Sequence, residues 1–133
     1  DLLALSYADE SFDLVLHSDS LEHVPDVDLA LSELHRVLKP GGASVFSVPM
    51  IRDGRQTVVR AEQRDGVVRH LRTPTYHGGS YQSTRQYLVY HEFGDDFAAR
   101  VSAAGFDLRL LEHATNPTAV TFIAEKPSPM AGR

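Results

Sequence analysis

Apolar positions along the chain change their period in an ordered way. Phe12-Asp13-Leu14-Val15-Leu16 is a short, mostly apolar run, preceded by Asp9-Glu10-Ser11 and ended by His17-Ser18-Asp19-Ser20. That pattern predicts a strand covered on both faces, the kind that belongs to parallel sheets. Val27, Ala30, Leu31, Leu34, Val37 and Leu38 then recur at helical spacing. Pro25-Asp26 opens this helix, because proline is tolerated there and Asp caps free N–H groups. Lys39 lies near its end, where a cation suits the helix dipole, and Pro40-Gly41-Gly42 stops it. Residues 43–48 follow as a second strand, halted by Pro49. Strand, helix and strand with short connections make a βαβ unit, expected to be right-handed with parallel strands.

Residues 50–86 interrupt this regularity. Two β-prone runs, 57–63 and 67–71, flank Arg64-Asp65-Gly66, and Asp-Gly between such runs signals a hairpin. Residues 73–81, with Pro74, Gly78 and Gly79, read as a loop. The region is expected to be an insertion beside the sheet. After it come a short strand-like run at 86–91, a helix marked by Phe97, Ala98, Val101 and Ala104, and strands at 106–111 and 119–124. Asp95-Asp96 opens that helix and Gly105 closes it. A turn containing Asn116-Pro117 joins the two strands. The whole is expected to be one domain over 1–126, with the insertion at 50–86 and a frayed tail at 127–133.

Composition narrows the function classes. With 133 residues, 42% hydrophobic, the chain suffices for one small core and is not of the disordered type. The absence of cysteine excludes disulfides, thiolate nucleophiles and cysteine-ligated zinc. No apolar run reaches the roughly 18–20 residues of a membrane span, and no signal-peptide pattern opens the chain, so a cytoplasmic protein is expected. A net charge of −5 argues against nucleic-acid binding. Charge is uneven, however. Residues 1–33 hold nine acids and no Lys or Arg, whereas 52–85 hold seven arginines against Asp53, Glu62 and Asp65. Those arginines fit either a patch that attracts an anionic acceptor or a solvated hairpin with long side chains.

In an open α/β sheet, ligands bind beyond the carboxyl ends of the parallel strands. Here those ends carry His17, Ser18, Asp19 and Ser20 on the first strand and Ser47, Val48 and Pro49 on the second. Spacing alone fits a ligand site and ordinary loop polarity equally well. The seven histidines are scattered and none shows the i, i+4 pairing of a helical zinc site, so no metal is expected.

Several linked segments carry a more specific signal. Asp1-Leu2-Leu3-Ala4-Leu5-Ser6-Tyr7, Asp9-Glu10-Ser11-Phe12-Asp13-Leu14-Val15, Leu21-Glu22-His23-Val24 and Glu33-Leu34-His35-Arg36-Val37-Leu38-Lys39-Pro40-Gly41-Gly42 follow one another in fixed order. Over residues 1–49 the chain resembles the class I S-adenosylmethionine-dependent methyltransferases of the UbiE/type 11 kind. Phe93-Gly94, Ala104-Gly105-Phe106 and the closing strand pair resemble the same family's C-terminal end. The insertion matches nothing in it.

The resemblance implies an α/β, Rossmann-like sheet of which this chain supplies strands 4-5-7-6, with strand 7 antiparallel. It implies S-adenosylmethionine as cofactor. Asp1 then matches the acid that accepts from the adenine amino group, and Leu2 the neighbour whose backbone N–H faces the ring. His17 and Ser18 match the strand end beside the methionine part. The family's Gly-rich loop has no counterpart, since no G-x-G-x-G occurs in the sequence. The chain therefore reads as a truncated, C-terminal part of such an enzyme, inactive and weak in cofactor binding by itself.

Methyl transfer from a sulfonium is an in-line displacement that needs alignment and exclusion of water, and a base only when the acceptor must lose a proton. His17, Asp19 and His23 are the candidates, with His17 best placed because a histidine near pKa 6.5 can take a proton at neutral pH. A turn-shaping role suits Glu22 and His23 as well. Glu33 and Arg36, one helical turn apart, are expected to form a surface ion pair. Tyr76, His77 and Tyr81, with Tyr90 and His91, fit either a pocket for a small-molecule acceptor or the insertion's own core. A strand at 12–16 with one side unpaired would be an apolar edge, open to a homodimer across it. The competing reading is an inactive methyltransferase-like domain serving as a binding or dimerisation module.

Overall fold

The computed structural model describes residues 1–78 and 86–129, without the side chains of residues 113, 117 and 118. Its centre is a four-stranded sheet. β1 (Phe12–Ser18) pairs in parallel with β2 (Leu38–Ser47), across α1 (Val27–Val37). The last strand, β10 (Asn116–Glu125), inserts antiparallel between β2 and β9 (Asp107–His113), so the order is β1-β2-β10-β9.

Local chemistry sets the ends of α1. The Asp26 side chain accepts from the Leu29 N–H at 2.9 Å, as its sequence position predicts. The end differs from expectation. The Leu38 N–H still bonds Leu34 O, but Leu38 itself has extended backbone and opens β2. Lys39 is therefore not a helix-end cation; it reaches Asp13 instead, at 2.7 Å and largely in solvent, where such a pair contributes little. Pro40-Gly41-Gly42 forms an irregularity inside β2, whose register against β1 runs Phe12↔Leu38 and then Leu14↔Ala43. Gly41 has φ of +77°, and a Cβ at Gly42 would stand 3.0 Å from Asp13 O and 3.1 Å from Phe12 O.

One face of the sheet is covered by α1 and α2 (Phe97–Ala103), and the core lies there. His17, Phe46 and Phe122 stand side by side on β1, β2 and β10, with ring centroids 4.7 and 5.1 Å apart and nearly parallel planes. Phe97 of α2 meets Phe122 edge-on at 5.3 Å, and Phe93 meets Phe97 at 4.1 Å. The opposite face is uncovered, and Leu14, Leu16 and Leu111 are more than half exposed on it. The segment before β1 is clamped to α1 by more than the expected ion pair. Arg36 bonds both Glu33 oxygens, Asp9 and the carbonyls of Leu5 and Tyr7, while Glu33 accepts from the Leu5 N–H.

The insertion contains the predicted hairpin, β4 (Ala61–Arg64) with β5 (Val67–His70), turning at Asp65-Gly66. Two features differ from expectation. β3 (Val58–Val59) pairs with β8 (His91–Glu92), and β6 (Tyr76–Gly78) pairs with β7 (Gln86–Leu88), so part of the expected loop is strand. The β9–β10 turn centres on Ala114-Thr115, with Asn116 already opposite His113. Within the arginine-rich stretch, Arg52, Arg55, Arg60, Arg64 and Arg69 are each in an ion pair with a carboxylate, Arg64 and Arg69 sharing Glu62, and Arg85 lies outside the described residues. Among the described residues, no helix is long and apolar enough to cross a membrane.

Candidate functional site

Parallel strands leave their carboxyl ends side by side, and a right-handed crossover carries the chain away below them. β1 and β2 do this at Ser18 and Ser47, which are register partners with hydroxyls 2.7 Å apart. Asp19, the next residue, takes φ of +47° and donates its N–H to Ser47 O at 3.0 Å. The chain then makes a 3-10 turn at Leu21–His23. Above these ends lies an open cleft of about 860 Å³, lined by Asp19, Ser20, His23 and Ser47 from the sheet ends and by His77 and Tyr87 from the insertion.

The cleft gathers some of the expected site residues. Asp19, His23 and His77 line it; Ser18 borders it through Ser47. Tyr76 is half-exposed on β6 and is not among the lining residues, and Tyr81 lies outside the described residues. Tyr90 and His91 are buried, and the His91 ring stacks on Phe93 at 5.9 Å. Asp1 is exposed, with Oδ1 accepting from the Leu3 N–H at 2.9 Å. Leu2 lines a separate apolar pocket of about 210 Å³ with Leu14, Val15 and Leu34.

His17 requires a correction. Strand alternation turns its ring to the helix-covered face, against Phe46, and not into the cleft. Neither ring nitrogen has a hydrogen-bond partner among the described residues, and burial pushes its pKa down to about 4. It is neutral at physiological pH and is not among the residues that line the cleft.

The sequence reading named Glu22, His23 and His77 separately, as turn-shaping residues, a candidate base and an acceptor-pocket residue, and did not group them. Glu22 is 1% exposed, and both carboxylate oxygens lack a hydrogen-bond partner. Burial raises its pKa. His23 Nε2 lies 3.6 Å and His77 Nδ1 3.7 Å from Oε1. His23 Nδ1 lies 2.8 Å from Leu88 O. A carbonyl only accepts, so Nδ1 carries the proton in that bond, and Nε2 is the nitrogen turned toward Glu22. Spacing along the chain suggested no metal-ligating group; the insertion brings His77 to Glu22 and His23, and these three ligand atoms lie within 4.8 Å of one another. The one sequence hint was a carboxylate and an imidazole adjacent at a strand end.

Comparisons with known proteins point the same way as the geometry. Residues 1–46 match a family model described as a methyltransferase domain. Over 96% of this chain and 40% of its own length, the methyltransferase GfsG of Streptomyces halstedii is 31% identical. A ubiquinone/menaquinone biosynthesis C-methyltransferase, UbiE, of Pectobacterium carotovorum is 33% identical over 78% of this chain and 42% of its own length. The chain thus spans about two fifths of these curated relatives. Among solved structures, a putative S-adenosylmethionine dependent methyltransferase from Listeria monocytogenes superposes with a TM-score of 0.61 at 17% identity, covering 96% of this chain and 67% of that one.

Proposed function

This chain belongs to the S-adenosylmethionine-dependent methyltransferases, and from that premise we propose that it forms part of an enzyme that passes the sulfonium methyl group to a small-molecule acceptor. The observation that carries this reading is the cleft beyond two neighbouring parallel strand ends, in whose lining Asp19, Ser20 and His23 belong to the residues that match the family model. In this reading β1, β2, β9 and β10 correspond to the family's strands 4, 5, 6 and 7. The exposed Asp1 carboxylate takes the adenine amino group, and the Leu2 N–H faces the ring. Ser18 stands beside the methionine part, and His17 acts only as packing beneath it. The bound cofactor supplies an activated methyl group. Asp19 and His23 are the groups in the cleft able to take a proton from an acceptor, and His77 and Tyr87 form its insertion-side wall.

No G-x-G-x-G occurs within the 133 residues, so the cofactor is held here by its two ends only and binding is weak. At millimolar S-adenosylhomocysteine, amide resonances of Leu2, Ser18, Asp19, Ser20 and Ser47 are expected to shift, while those of the β4–β5 hairpin stay in place. Shifts confined to the hairpin, or none, would sink the assignment of the cleft. Micromolar affinity by calorimetry would overturn the weak-binding part alone.

A second reading, an inactive module that dimerises, draws on one observation: β1 is the outermost strand and Leu16 is 68% exposed on it. Light scattering is then expected to give twice the chain mass, reverting to a monomer with Leu16→Lys. A monomeric parent chain would dispose of this reading.

A further inference from the structure

We propose that Glu22, His23 and His77 form a binding site for a divalent transition-metal cation in the wall of the cleft. Three independent features meet there. The first is an unpaired carboxylate. Glu22 is withdrawn from water, yet among the described residues no Lys or Arg lies in an ion pair with it and no donor reaches either oxygen. A buried charge without a partner is strongly disfavoured, so such a group calls for a cation or a proton.

The second is the tautomer of His23. Its Nδ1–H on Leu88 O fixes the ring and turns Nε2, the nitrogen a metal would use, toward the carboxylate. Two electron-rich atoms facing each other repel unless something positive sits between them. Metal-bound histidines show this arrangement: one nitrogen on the metal, the other donating to a backbone carbonyl.

The third is spacing. Ligands about 2.1 Å from a tetrahedral ion lie roughly 3.4 Å apart. The two Glu22–histidine separations are 3.6 and 3.7 Å, and all three ligand atoms lie within 4.8 Å. A few tenths of an ångström of closure brings each histidine to Glu22, and a shift of up to about 1.4 Å by the half-exposed His77 brings the two imidazoles to the same spacing.

Two imidazole nitrogens and one carboxylate oxygen, without sulfur, suit zinc, cobalt, iron(II) or manganese better than magnesium or calcium. Three protein ligands leave a coordination position free, and His23 and His77 both face the cleft, so that position opens toward it. Resting on the methyl-transfer reading, an acceptor hydroxyl bound there would lose its proton more readily, to Asp19, since His23 is then committed to the ion.

The test uses no cofactor or acceptor, so its outcome is independent of the methyl-transfer reading. Cobalt(II) titrated into the purified chain is expected to produce visible d–d bands that saturate at one ion per chain and are displaced by zinc but not by magnesium. His77→Ala is expected to weaken cobalt binding at least about tenfold, and Glu22→Gln likewise. His70→Ala, on the hairpin, should leave it unchanged. Far-UV circular dichroism checks that each variant is folded; His77 is 42% exposed, so its loss should spare the fold. Absence of d–d bands, or equal affinity in His77→Ala and His70→Ala, would overturn the site.

Discussion

Phe122→Ala is expected to remove most of the stability of this chain. Phe122 is fully buried at the centre of the sheet, stacked on Phe46 on one side and met edge-on by Phe97 of α2 on the other. Truncating a buried phenylalanine costs about 3–5 kcal/mol, since the lost transfer energy adds to the cavity left behind. Small domains hold only about 5–15 kcal/mol in total. With a urea m-value of roughly 2 kcal/mol/M, the unfolding midpoint should fall by about 2 M. The control is Leu29→Ala, on the outer side of α1 and 43% exposed, which should move stability by no more than about 0.5–1 kcal/mol. Equal effects from the two substitutions would mean that α2 does not pack on the sheet as described.

The second large effect concerns acid. His17 has a folded pKa of about 4 against 6.5 for an unperturbed histidine. Between those values the unfolded chain binds a proton that the folded chain refuses, so stability falls as pH is lowered. The contribution is complete above pH 6.5, declines through the window down to about 4, and then levels off. Two and a half pH units correspond to about 3 kcal/mol at most. Burial lowers the pKa of His91 too, so it works in the same direction, and the raised pKa of Glu22 works against both. His17→Phe isolates the His17 share: it keeps a ring against Phe46 and removes the titration. Between pH 7.5 and pH 5 the melting temperature of the parent should fall further than that of the variant. Parallel pH profiles would show that the His17 ring is hydrated and not stacked in the core.

Much of the framework was legible in the chain because it is written locally. The apolar run of β1, the 3.6-residue stripe of α1, the Asp26 cap and the Asp65-Gly66 turn each depend on residues a few positions apart, so pattern and propensity suffice. Errors came where local signals conflict. Pro40-Gly41-Gly42 reads as a helix stop with the strand after it, yet pairing with Phe12 draws Leu38 into β2 ahead of the glycines. Tyr76–Gly78 looks like loop until Gln86–Leu88 supplies its hydrogen bonds.

The sequence by itself determined the parallel strand–helix–strand unit and the polar strand ends, through periodicity and capping. The tertiary structure decided which way those polar groups face. His17 is placed in the core by alternation and its register with Phe46, while Asp19 is turned toward the cleft by a left-handed backbone. It also decided that His77 meets Glu22 and His23, because an encounter between distant segments depends on how the insertion folds back, and no local period encodes that.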